Sequence, residues 1–272
     1  MQPRFWSQLS LFAVTFIAIL MLREFSTHLL LQNGIHDYQI HTAVDIAANV
    51  LLVLISIILI NQNGLRSIAG LGNVKTEKWY LLLFPLFYLV GLNLLITDAP
   101  SSQATMASIA IFLVNCLSIG FAEELTIRGF LQSFLIKHFG KTKKGVLSAV
   151  VLASVFFGLV HLIKFDNGLY GEMAQLAFAS FIGLMFGIVL VLTKRIYPLI
   201  IIHAVVDLFA DLGEVGMPIQ EKLNEAGSLE NALLIILLTS PCLIYALVLM
   251  VRYKQEEQQE KQLENSSAAQ MS

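Results

Sequence analysis

The sequence predicts an all-α fold, a polytopic bundle of about eight membrane helices. Two observations carry that expectation. Of the 272 residues, 57% are hydrophobic and 13% charged, where an ordinary soluble domain is about a quarter charged; the mean hydropathy is +0.75. Apolar runs near the roughly 20 residues that one helical crossing needs then recur along the whole chain.

The runs are 5–22, 40–60, 79–97, 104–122, 146–163, 172–193, 196–211 and 230–251, the fifth and seventh of them short. The first follows Arg4 but carries no small-x-small cleavage site before Arg23, so it reads as a retained anchor rather than a signal peptide. Pro198 suits the first turn of the seventh helix, while Pro85 and Pro241 are expected to bend the third and eighth. In the sixth run Ala179, Gly183 and Gly187 recur every four residues, a stripe that lets a neighbouring helix approach closely. From Tyr253 the chain turns polar and reads as a solvated, partly disordered tail. The expected organisation is 1–100 for the first three helices, 101–215 for a core of helices four to seven, 216–252 for a loop and the eighth helix, and 253–272 for the tail, with no second soluble domain.

Basic residues orient such a bundle, because Lys and Arg accumulate in cytoplasmic loops. With the N-terminus inside, thirteen of the seventeen fall on the cytoplasmic side: Arg4; Arg66, Lys75 and Lys78; Lys137, Lys141, Lys143 and Lys144; Lys194 and Arg195; Arg252, Lys254 and Lys261. Lys164 and Lys222 fall outside, Arg23 and Arg128 within helices, and the acidic 211–230 segment outside. Both termini are then cytoplasmic. A net charge of −2 suggests no nucleic-acid partner. Cys116 and Cys242 lie in apolar runs without disulfide or metal-ligand spacing and read as small hydrophobic side chains.

Against this background the stretch Phe121–Phe130, FAEELTIRGF, stands out. A charged side chain at the centre of a membrane helix costs roughly 2.5–3.5 kcal/mol on insertion scales, so Glu123, Glu124 and Arg128 require partners. Glu124 and Arg128, four apart, share a helix face, whereas Glu123 is turned about 100° away and is left for another task. His161 ends the fifth run in FFGLVHLIK; His203 and Asp207, four apart in IIHAVVDLFA, share a face of the seventh. If the fourth helix runs to Phe139 and the fifth starts near Gly145, Glu123 and His161 each lie about 24 Å from the turn. His203 reaches that level if the 130–145 hairpin projects about 14 Å beyond the membrane. The cluster then occupies the cytoplasmic half of the bilayer. Arg23 with Glu24, and His41 with Asp45, are weaker polar groups near helix ends.

A glutamate and a histidine facing one buried water can share its deprotonation, and a second histidine with a polar neighbour can hydrogen-bond the oxyanion formed when a carbonyl is attacked. That is amide hydrolysis without a covalent intermediate. A second reading gives Glu123, His161, His203 and Asp207 to a zinc ion, since two histidines and a carboxylate form a known catalytic ligand set; the H-E-x-x-H signature is absent.

Glu123-Glu124-x-x-x-Arg128, Phe157-x-x-x-His161 and His203-x-x-x-Asp207, in that order over roughly 118–211, resemble the three motifs of the CPBP intramembrane proteases, the group of the Rce1-type CAAX prenyl proteases and the bacteriocin-immunity (Abi) relatives. The resemblance implies that Glu123 and His161 activate water, that His203 and Asp207 form the oxyanion site, and that Glu124, Arg128 and Phe157 support them. The family's third motif often ends in Asn. An ionised Asp207 cannot donate to an oxyanion, so it stays protonated, orients His203 or helps hold a metal. The resemblance implies either a glutamate-dependent or a metal-dependent peptidase acting on a lipidated or membrane-embedded peptide. The compact size and lack of a targeting extension point to a bacterial inner membrane, with membrane lipids as the surrounding partner. Two other classes compete: a noncatalytic immunity or scaffold protein, and a proton-coupled transporter, for which no repeated halves are visible.

Overall fold

In the computed structural model, which describes residues 3–73, 75–97, 101–163, 168–220 and 227–271, the chain is an all-α membrane protein with no strand among the described residues. Lys164, Glu221, Lys222 and Glu225 of the expected outer loops lie outside the described residues. The helices are α1 (Pro3–Gln32), α2 (Tyr38–Gln62), α3 (Leu83–Ile96), α4 (Met106–Glu123), α5 (Ser133–Phe139), α6 (Lys143–Val160), α7 (Gly168–Thr193), α8 (Tyr197–Ala210) and α9 (Leu229–Met271). A π-helical stretch, Glu124–Gln132, joins α4 to α5 in one continuous rod, Met106–Phe139.

Seven helical segments are long and apolar enough to span a bilayer. The eighth, α8, has 14 residues, about 21 Å at 1.5 Å per residue, less than a hydrocarbon core of roughly 30 Å. The fifth expected run is longer than its composition suggested: Lys143–Ile163 forms 21 helical residues, because Thr142 caps the helix by accepting from the Gly145 N–H. Asp37 likewise caps α2 through the Ile40 N–H, and Thr105 with Ser108 forms a capping box at α4.

Two expectations are corrected. Pro85 lies in the first turn of α3, just after the 3-10 turn Trp79–Leu82, where a missing N–H costs little and no mid-helix bend is needed. Pro241 does lie inside α9, and the Ser240 hydroxyl takes the Leu237 carbonyl that the proline leaves unpaired. The polar tail is the second correction, since α9 continues to Met271. The Glu, Gln, Lys and Ala that fill this stretch are strong helix formers, and an existing helix needs no new nucleus to extend.

The small-residue stripe on α7 does what its spacing predicts. Gly183 packs against the Ser154 backbone, where a Cβ would lie 3.2 Å from its Cα, and Gly187 faces Val150 and Gln132. α1 belongs to the same core: Phe5 stacks on Phe134 at 5.4 Å and Phe12 meets Phe130 at 4.8 Å between centroids.

Candidate functional site

The site begins where α4 changes register. Beyond Glu123 the helix widens into nine residues of π-helix, all buried. Its polar side chains are tied down on three sides. Thr126 shares a hydrogen bond with Ser56 of α2 at 2.9 Å, the Gln132 amide donates to the Gly187 carbonyl of α7 at 3.1 Å, and the Ser133 hydroxyl donates to the Arg128 carbonyl five residues back at 3.0 Å. π-Helical stretches recur at functional sites and place side chains off the α-helical phase.

Glu124 and Arg128 are fully buried, and Arg128 Nη1 donates to Glu124 Oε1 at 2.9 Å, the expected i,i+4 pair. The same Oε1 accepts from His203 Nδ1 at 2.8 Å. His203 Nε2 faces Glu123 Oε2 at 3.4 Å and Asp207 Oδ1 at 3.8 Å. The expectation that the two adjacent glutamates serve separate places is therefore corrected. The imidazole lies across both of them, one on each nitrogen, because α8 crosses directly over α4. Gly120 makes that crossing possible: a Cβ there would lie 2.6 Å from the Ile200 carbonyl oxygen. Glu123 is the more open of the two glutamates, with its side chain 32% exposed against 0% for Glu124.

Three polar atoms of this cluster, Glu124 Oε2, Arg128 Nη2 and Asp207 Oδ2, are buried with no hydrogen-bond partner among the described residues. Each such group costs on the order of 1–3 kcal/mol unless something satisfies it. All three belong to the cluster around His203.

His161 caps α6 and opens the 3-10 turn His161–Ile163. Its Nδ1 bonds the Phe157 carbonyl at 2.7 Å. A carbonyl only accepts, so Nδ1 carries the proton and Nε2 keeps the lone pair. No hydrogen bond or ion pair among the described residues joins His161 to Glu123. The link runs through an aromatic ring instead: Phe157 meets His161 edge-on at 4.7 Å, and the Arg128 guanidinium lies 4.6 Å from the centre of the same ring. Sequence reasoning missed Phe186, which lies 5.6 Å from Arg128 and 5.9 Å from the His203 ring. It falls within the small-residue stripe, where periodicity reads only as packing.

Gly129 packs on Ile60, near the end of α2, so Glu123, six residues earlier, lies roughly 10 Å from that end along the bundle axis. This is the end that carries Arg66, Lys137, Lys194 and Arg195, with the Lys137 ammonium on the Asn63 carbonyl. The rod continues ten residues past Gly129 to Phe139, which supplies a projecting hairpin. His41 and Asp45 are drawn elsewhere: His41 Nε2 bonds the Ile35 carbonyl, and Asp45 lies 3.8 Å from Arg23 Nε.

Both nitrogens of His203 face carboxylates, and no group of three or more His, Cys, Asp and Glu among the described residues converges in ligand geometry.

Comparison with the curated proteins and with the solved structures gave no match. In the comparison with family models, residues 105–209 match the type II CAAX prenyl endopeptidase Rce1-like family. That stretch begins at the capping residue of α4 and ends within α8, so it spans Glu123, Glu124, Arg128, Phe157, His161, His203 and Asp207. Residues 105–209 of this integral membrane protein are thus similar to the Rce1-like family of type II CAAX prenyl endopeptidases.

Proposed function

We propose that the protein is an intramembrane endopeptidase that hydrolyses a peptide bond in a lipidated or membrane-embedded substrate, with its cavity open to the cytoplasm of a bacterial cell. The observation that carries this reading is the half-open Glu123 carboxylate, 3.4 Å from His203 Nε2, above a wholly buried Glu124–Arg128 pair.

In this reading Glu123 and the Nε2 lone pair of His161 take a proton from one water between them. The hydroxide adds to the scissile carbonyl carbon, and the developing oxyanion accepts from His203 Nε2–H. Held by Glu124 through Nδ1 and flanked by Asp207, that ring carries a proton on each nitrogen at this stage. The proton removed from water passes to the departing amine as the C–N bond breaks. The 3.4 Å gap exceeds an ordinary N–H···O bond, which leaves Nε2 able to turn to substrate. Asp207, with Oδ1 3.8 Å from Nε2, flanks the ring and orients it.

The test is cleavage of a prenylated or transmembrane peptide by the purified protein in detergent. Glu123→Ala and His161→Ala are each expected to abolish turnover while the thermal midpoint stays near wild type; turnover retained in either would remove the mechanism. Addition of a chelator, with metal analysis of the same preparation, decides whether a metal takes part. Flux of a solute across liposomes without cleavage would instead favour a carrier.

A further inference from the structure

We propose that Phe186 is a positioning residue for the site: its ring holds the Arg128 guanidinium and the His203 imidazole in register, so that Glu124 Oε1 receives both. Phe186 is 1% exposed, on α7, an element that contributes none of the ionisable groups of the cluster. Arg128 lies between two rings, 4.6 Å from the centre of Phe157 and 5.6 Å from that of Phe186. Phe157 continues to His161, and Phe186 continues to His203, which it meets at 79° and 5.9 Å. One cation thus links two aromatic arms, each ending on a histidine.

The chemistry explains why a ring is needed. Nη2 of Arg128 has no hydrogen-bond partner among the described residues, and the negative face of an aromatic ring is the one apolar surface that attracts a desolvated guanidinium. The edge-on contact with His203 fixes the imidazole plane while Glu124 fixes Nδ1. An aliphatic side chain of similar volume fills the space but leaves the guanidinium with the Phe157 ring alone and removes the edge contact that sets the imidazole plane.

The inference rests on the protease reading only for its kinetic arm. Histidine labelled with 15N in the detergent-solubilised protein, with the His203 signals identified by their loss in His203→Gln, reports the tautomer and setting of the ring whether or not the protein cleaves peptides. Phe186→Leu is expected to move or split the His203 signals, and Phe186→Tyr to retain them. If Phe186→Leu does not fold, Phe186→Met, which keeps the volume and loses the ring, carries the same test. Where cleavage is measured, the ringless variant is expected to lose about tenfold in kcat at little change in KM, with recovery in Phe186→Tyr. His203 signals identical to wild type in a folded ringless variant would overturn the proposal, even if the wild type is an active protease. A wild type that cleaves nothing, with His203 signals displaced in the ringless variant, would sink the protease reading and leave Phe186 as the ring's support.

Discussion

The Glu124–Arg128 pair lies where charges are most costly, and that decides what its loss should do. Removing one partner of a buried pair leaves the other uncompensated, at about 3–5 kcal/mol. Glu124→Leu and Arg128→Met are therefore each expected to lower the thermal midpoint sharply, whereas the double variant recovers most of the stability and none of the activity, a contrast readable by calorimetry in detergent. Glu123→Ala should behave in the opposite way, because its side chain is 32% exposed and His203 Nε2 stands 3.4 Å from it, beyond an ordinary hydrogen bond. The residues of this contrast were legible in the sequence: a carboxylate and an arginine four apart in an apolar run must pair. What could not be read was that His203 spans both glutamates, since that depends on how closely two helices cross.

At the scale of elements the crossing depends on Gly120, and the register of the rod on its π-helical stretch. Gly120→Ala places a methyl 2.6 Å from the Ile200 carbonyl oxygen, so α8 must move away, and His203 with it. The expected cost is about 1–3 kcal/mol of stability together with a loss of turnover larger than the stability loss explains, checked by melting and kinetics on the same preparation. Ser56→Ala leaves the Thr126 hydroxyl without its 2.9 Å partner and should cost roughly 1 kcal/mol, measured by the same melts. The widened turn was invisible in the sequence because a hydrophobic pattern with a 3.6-residue period carries no signal for nine residues bonded i to i+5. The bend expected at Pro85 went astray for a related reason. Composition locates a proline but does not say where its helix begins.

For the whole molecule, the expectation of a cytoplasmic basic end can be tested directly. A cysteine at Lys141 and one at Glu214 are expected to react with a membrane-impermeant thiol reagent from opposite sides, Lys141→Cys from the cytoplasm. The native Cys116 and Cys242 are buried and leave a quiet background. The reverse pattern would turn the cavity outward. The all-helical fold and the order of its apolar helices were legible from apolar runs alone, and the first and third polar motifs name residues that meet at His203. The helical tail was not legible, because polar composition read as disorder outweighed helix propensity.

The 14 residues of α8 have a further consequence. Its last turn is held to α3 by Asn93 on the Val206 carbonyl and Thr97 on the Ala210 carbonyl, so it cannot stretch to match a thick bilayer. About 9 Å of a 30 Å hydrocarbon slab is left for lipid tails to bend into or for water to fill. Reconstitution into lipids of graded acyl length would then reveal hydrophobic mismatch as a rate: turnover is expected to be greatest in thin bilayers, and to decline as the slab thickens and its tails close over the dimple beside His203.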